Sequence, residues 1–263
     1  IKDIEAEFSI IVINDASNIQ QNINLENIDS LKNIKIINMK ENRGHARCIA
    51  AGLKYIHEKQ DYDYIIPMDG DGEDRPEEIK NFVEHINYSP NKTIVGERIK
   101  RSEGLFFKIC YSFHKILTLT FTGKNIKFGN YTCLTKSTVE KMINDKASWS
   151  SFSGSLEKVD NDKSSTPSIR GERYFGPSKM SFKNLIIHSL SIMSVFKVSV
   201  LLRSILFLAV YMFLIHQKIT TIILIPVALV IALLFLVFSI STRENLNELN
   251  NSLSNISKID NIK

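Results

Sequence analysis

The sequence predicts an α/β domain with a mostly parallel sheet, followed by a two-helix membrane hairpin. Three observations carry that prediction. Short β-branched apolar runs alternate with amphipathic stretches across residues 8–97, the pattern of strands and helices in one layered domain. Four acids, Asp69, Asp71, Glu73 and Asp74, gather just beyond the end of one run. The chain then turns almost wholly apolar from Ser199 to Ile240.

Composition sets the bounds. The 263 residues suffice for one α/β domain and an appendage, and the net charge of +5 suits an anionic partner. Nucleic acid is the least fitting such partner, because no aromatic-basic platform or recognition-helix signature accompanies the charge. Cys48, Cys110 and Cys133 lie far apart without CxxC spacing, which argues against a zinc site or a disulfide framework. The six histidines show no ligand spacing and receive no role.

Taken in order, Phe8 to Ile13 is the first strand, ending in Asn14-Asp15-Ala16-Ser17. Ile34 to Met39 is the second, and Asn42-Arg43-Gly44-His45 leads from it into a helix over about residues 46–58. Tyr64 to Met68 reads as the third strand, Glu77 to Ile86 as a helix, and Thr93 to Gly96 as the fourth strand. In a parallel sheet the ligand sits beyond the carboxyl ends of the strands. Asp15, Arg43 and Asp69 all follow strand ends and can converge there.

Beyond Arg98 the pattern changes. Gly104 to Gly123 has apolar residues at helical spacing, with Lys108, Ser112 and Lys115 elsewhere on the helix. It fits a core helix or a helix lying on a membrane. A short strand is expected near Thr132 to Leu134, a polar loop over residues 160–168, and a second amphipathic helix from Phe182 to Phe196.

Val200 to Ile215 and Thr220 to Ile240 then read as two membrane helices, the second near the ~30 Å of a hydrocarbon core. Pro226 is tolerated in such a helix, and Arg203 can snorkel from near an end. The link His216-Gln217-Lys218 makes them a hairpin. Lys179, Lys183, Lys197, Arg203 and Arg243 flank its outer ends, which puts the domain and the residues after Ser241 in the cytoplasm.

The acid cluster itself has two readings. It can hold a hard divalent cation, Mg²⁺ or Mn²⁺, on carboxylate oxygens. It can equally be a solvated acidic turn ahead of a helix that starts at Pro76-Glu77-Glu78.

Several segments in order carry a resemblance: VINDAS, ENRGHARCIAAGL, IIPMDGDGEDRPEEI, GERIKRSEGLFFK, TGKNIKFGNYTCL and RYFGPSKM. Together with the hairpin, they resemble the polyprenyl-phosphate glycosyltransferases of glycosyltransferase family two, similar to dolichol-phosphate mannose synthase and bactoprenol glucosyl transferase. The resemblance implies a GT-A, Rossmann-like nucleotide-sugar domain over residues 1–180. It also implies an amphipathic juxtamembrane helix over 181–198, a transmembrane hairpin over 199–240 and a polar cytoplasmic tail over 241–263. It implies metal-dependent, inverting transfer of a sugar from a nucleotide-diphosphate donor, UDP favoured over GDP, to a polyprenyl phosphate at the cytoplasmic membrane. A homo-oligomer is compatible with it.

Roles are implied residue by residue. Asp69 and Asp71 match the pair that holds the metal on the donor diphosphate, and Glu73 a further ligand. Asp15, Arg43, Gly44 and Asp69 match the nucleotide side. Asp71 and Arg98 are the catalytic candidates, Arg98 matching the basic residue after the fourth strand near the transferred groups. Arg173, Ser178 and Lys179 match the segment that closes over phosphate, with Lys108 and Ser112 as further acceptor-phosphate candidates. One departure stands out. Relatives open on a strand ending in a Pro-x-Tyr-Asn-Glu type motif, whereas here the VINDAS strand already begins at Phe8. The sequence reads as N-terminally incomplete, and the strands flanking the missing one are expected to have unpaired edges. A non-catalytic nucleotide-sugar-binding protein, an inactive truncated copy and a family-two polysaccharide synthase are the alternative expectations. Neither a Q-x-x-R-W motif nor further membrane helices support the synthase.

Overall fold

The computed structural model describes residues 4–18, 29–100, 105–176, 181–217 and 220–263. Phe8–Asn14 (β1) and Leu31–Met39 (β2) pair in parallel, with Ile10 opposite Ile34 and Asn14 opposite Asn38. His45–Lys59 (α1) follows, and its Ala51 and Tyr55 pack on Ile37 and Met39 of β2 and on Ile11 and Ile13 of β1. Alternation along a strand puts Asn14 and Asn38 on the opposite face of this sheet.

The second sheet is built from Tyr64–Ile65 (β3), Ile94–Lys100 (β4), Phe128–Thr135 (β5) and Ser164–Ile169 (β6), in the order β3-β5-β4-β6. Ile79–Tyr88 (α2) precedes β4. β3 is shorter than its apolar run, because Pro67 cannot donate to a ladder. The two sheets part between β1 and β3, each of which has a strand on one side only among the described residues. α1 bridges them, since Leu53 packs with Ile65 of β3 while Ala51 faces β2.

The sheets are mixed, not mostly parallel: β3–β5 and β4–β5 run antiparallel, and β4–β6 is parallel. The reason lies in Leu105–Thr122 (α3), which joins β4 to β5. A parallel return needs a crossover helix packed on the sheet. α3 packs instead on the membrane-side helices, so the chain comes back antiparallel. Lys136–Ile143 (α4) and Phe152–Val159 (α5) close the main core, where Leu134, Val139, Met142 and Leu156 are wholly buried.

The stretch expected to be a polar loop over residues 160–168 is in large part β6. Its Thr166 and Ser168 are buried. Ser168 Oγ donates to Glu78 Oε2 at 2.7 Å, and the Ile169 amide to Glu78 Oε1 at 2.8 Å. A buried carboxylate satisfies this strand, so it carries no apolar signature.

Phe182–Val195 (α6) leads into Lys197–Ile215 (α7) and Ile225–Ser241 (α8). Among the described residues, two helices are long and apolar enough to cross a membrane, and most of their surface is not covered by protein. Leu206, Phe213, Leu229 and Phe235 all face outward. Tyr211 Oη donates to the Ile223 carbonyl at 2.8 Å and ties the hairpin together. Arg203 does not face lipid alone: its guanidinium lies 3.4 Å from the Thr120 carbonyl in the last turn of α3, where a cation suits the helix dipole. Phe121, Leu190 and Met193 pack with Val200, Val230 and Val237, so the hairpin shares a core with α3 and α6.

The stretch beyond Ser241, expected as a tail, folds back onto the domain. Leu246–Asn250 (α9) buries Leu249 against Ala50 and Trp149, and Trp149 Nε1 donates to Glu248 Oε2 at 2.7 Å. Ile256–Asn261 (β7) pairs antiparallel with β2, completing the order β1-β2-β7.

Candidate active site

The acid cluster sits just past β3, on a loop that turns at Gly72. Gly72 has φ +91°, and an added Cβ would stand 2.8 Å from the Tyr174 ring, so the position needs glycine for conformation and for space. The loop is docked on residues 171–174. The Gly171 amide donates to the Glu73 carbonyl and the Tyr174 amide to the Asp71 carbonyl, both at 2.9 Å. This second segment continues directly from β6 and is basic. Arg173 donates to Asp71 Oδ2, Arg170 donates to Glu73 Oε2, and Arg173 Nε lies 3.4 Å from Glu73 Oε1. Two guanidinium groups thus neutralise two carboxylates that would otherwise repel.

Asp69 has a different environment. Its Oδ1 accepts from His45 Nε2 at 2.8 Å and from Asn130 Nδ2 at 3.0 Å. Burial pushes its pKa up, but these bonds and the charges of His45 and Arg98 outweigh burial and hold it below the usual 3.8. His45 is in turn raised above 6.5, chiefly by its bond to Asp69. Asp74 accepts the Asp69 amide at 2.9 Å and is 5% exposed. Burial pushes its carboxyl up to about 6. Asp74 is thus structural, holding the Asp69 backbone.

Arg98, at the end of β4, lies against Gly129 and close enough to Asp69 and Asp74 to lower both. Asp15 is committed to the backbone: Oδ1 accepts the Arg43 amide at 3.0 Å and Oδ2 the Gly44 amide at 2.9 Å. This joins the loop after β1 to the loop before α1. The Arg43 guanidinium turns away to Glu41 at 2.5 Å. His45, the first residue of α1, connects this pair of loops to Asp69.

Asp71 and Glu73 therefore meet Arg170 and Arg173, Asp69 meets His45 and Asn130 with Arg98 nearby, and Asp15, Arg43 and Gly44 form an adjoining group. Ser112 is exposed on α3, and the Lys108 side chain lies outside the described residues, as do Ser178 and Lys179. His45, Asn130 and Arg170 join the site without having been singled out in the sequence. His45 carried a signal in its place directly after a strand-end Arg-Gly. Asn130 and Arg170 contact the acids from distant segments and carried none.

Among the described residues no three His, Cys, Asp or Glu side chains converge as a ready cation cage. The all-oxygen set of Asp69, Asp71 and Glu73 is nonetheless the donor type of Mg²⁺ or Mn²⁺, which complete their shells with substrate phosphates. Asp71 and Glu73 are each paired with a guanidinium group, so these two carboxylates already take up positive charge.

Comparison with known proteins agrees with this layout. The family model described as Glycosyl transferase family 2 matches residues 2–152. Among curated proteins, none matches the chain.

Proposed function

The chain belongs to glycosyl transferase family 2, and from that premise we propose that it transfers a sugar from a nucleotide-diphosphate donor to a polyprenyl phosphate. UDP is preferred over GDP as the nucleotide. The observation that carries this reading is the joining of the acid cluster and the apolar hairpin through one basic segment. β6 runs into the arginine strap over Asp71 and Glu73, and α6, α7 and α8 follow in the chain. A site for a charged donor thus lies close in the chain to a surface for a lipid acceptor.

Asp69, Asp71 and Glu73 would hold Mg²⁺ or Mn²⁺, which supplies Lewis-acid stabilisation of the departing diphosphate. Asp15, Arg43 and Gly44 frame the nucleotide. Arg98 faces the transferred groups. Arg173, with Ser178 and Lys179, holds the acceptor phosphate, and Lys108 and Ser112 are further candidates for that role. A lipid phosphate is already an anion at neutral pH, so it needs orientation more than a general base. Direct displacement by its oxygen inverts the anomeric carbon. The flanking cations favour a cytoplasmic domain at the cytoplasmic membrane, with α7 and α8 as a multi-pass anchor.

The test is an assay of the full chain in bilayers, with labelled UDP- and GDP-sugars, polyprenyl phosphate, and Mn²⁺ or chelator. A lipid-linked product that needs the cation supports the reading. Release of free sugar with no lipid product would overturn the acceptor assignment.

A further inference from the structure

The segment after the hairpin does more than return to the domain. It reaches the two loops that frame the proposed nucleotide pocket. On the face of the first sheet away from α1, Asn38 Nδ2 donates to Asp260 Oδ2 at 2.9 Å. Asn14 Nδ2 donates to Asn38 Oδ1, also at 2.9 Å. The Ser17 amide donates to Asn14 Oδ1 at 3.0 Å. A chain of hydrogen bonds therefore runs from β7, across β2, into the turn that carries Asp15.

Its direction is set at one end. An ionised carboxylate only accepts hydrogen bonds, whereas a primary amide both donates and accepts. Asp260 forces Asn38 to turn its NH₂ toward β7 and its oxygen toward Asn14. Asn14 must then turn its own oxygen toward Ser17. The turn needs such a fastening, because Ala16 has φ 54°, a backbone region that costs a residue with a Cβ.

The same segment holds the second loop. Asn255 Nδ2 donates to the Glu41 carbonyl at 3.0 Å, and the Lys40 amide donates to the Asn255 carbonyl at 2.7 Å. Glu41 leads to Arg43 and Gly44, whose amides bind Asp15.

We propose that the segment after the membrane hairpin is a positioning element for the donor nucleotide, acting through Asp260, Asn38 and Asn14 on the Asp15 turn. The inference rests on the donor reading given under Proposed function. It adds that the half of the pocket that holds the nucleotide is fastened by chain lying beyond the membrane helices. Asp260 is a positioning residue: it acts on the turn and not on the reacting atoms.

The test compares the full chain with Asp260→Ala, Asp260→Asn and Asn38→Ala, with Lys258→Ala as control. Lys258 pairs with Asp260 Oδ1 at 2.5 Å and stands outside the relay. Two readouts are taken in bilayers: amide exchange at Arg43 and Gly44, and KM and kcat with each nucleotide-sugar in Mn²⁺. Asp260→Ala and Asn38→Ala are expected to speed exchange at both amides. They should raise the donor KM by about tenfold, the worth of one lost hydrogen bond, with kcat and the acceptor KM within about twofold. Asp260→Asn keeps an acceptor and should restore most of the donor affinity, and Lys258→Ala should behave as the parent chain. Unchanged donor KM in both alanine variants of an active enzyme would overturn the proposal, as would equal losses in kcat and donor KM that Asp260→Asn fails to rescue. Faster exchange in the variants of a parent chain that turns over no donor would instead overturn the donor reading and leave the relay standing.

Discussion

Arg173→Ala separates the two charges that Asp71 can hold. In the structure Arg173 donates to Asp71 Oδ2 and lies 3.4 Å from Glu73 Oε1, with side chains 15–30% exposed. A hydrogen bond to a charged group contributes about 1.5–3 kcal/mol, and partial exposure screens it toward about 1 kcal/mol. A cation that takes these carboxylates must displace the guanidinium first. Removing it should therefore tighten Mn²⁺ binding to the nucleotide-free protein by about fivefold, since 1.4 kcal/mol is a factor of ten. The docking of the loop through the Gly171 and Tyr174 amides does not depend on the side chain, so the fold should persist. Titration of free Mn²⁺ by electron paramagnetic resonance reads the affinity, and the same variant should lose most lipid-linked product. Arg173→Lys should fall between, because an ammonium lacks the planar fork. Mn²⁺ affinity that is unchanged or weaker in folded Arg173→Ala would refute the competition between guanidinium and cation.

Three other outcomes follow from the same cluster. Gly72→Ala should destabilise the protein by about 1–2 kcal/mol in denaturant unfolding, from the positive φ alone, and should lift Tyr174 off the loop. Asp74→Asn should stabilise the cation-free protein at pH 7 by about 3 kcal/mol, because burial holds its carboxyl at about 6 against an ordinary 3.8. The sign is that of a raised acid: the folded state keeps the proton longer, so stability falls as pH rises from about 4 through 6, and thermal melts of Asp74→Asn should lack that fall. His45 should titrate above 6.5 by NMR, since Asp69 raises it, and its contribution to stability should be present at low pH and fade as pH passes its folded pKa. Asp69→Asn should bring it down.

Much of this was legible in the sequence where apolar periodicity or strand-end chemistry spoke. The runs at Phe8 and Ile34, the helix after Arg43-Gly44 and the hairpin from Ser199 are all strongly patterned, and the acids at Asp69 and Asp71 are conspicuous because like charges seldom crowd a strand end. β6 was not legible, since Ser164 to Ser168 is stabilised by the buried Glu78 and not by apolar burial. β7 was missed for a related reason. Composition after Ser241 is that of a solvated tail, yet Leu249, Leu253 and Ile256 anchor it in the core, and its ladder to β2 uses backbone groups that every sequence has. Arg170 and Asn130 reach the acids from separate elements, and no local spacing announces such a meeting, whereas His45 was marked only by its place after Arg43-Gly44.

The central claim is that this acid cluster serves transfer of a sugar onto a lipid phosphate. Its most direct test is lipid-linked product formed by the full chain in bilayers from a panel of labelled UDP- and GDP-sugars, measured beside Asp71→Ala. The account predicts a cation-dependent product from the parent chain and a loss of at least about a hundredfold in the variant, the scale on which removing one stabilising group for developing charge acts. No lipid-linked product from any donor, or equal product from Asp71→Ala, would contradict it.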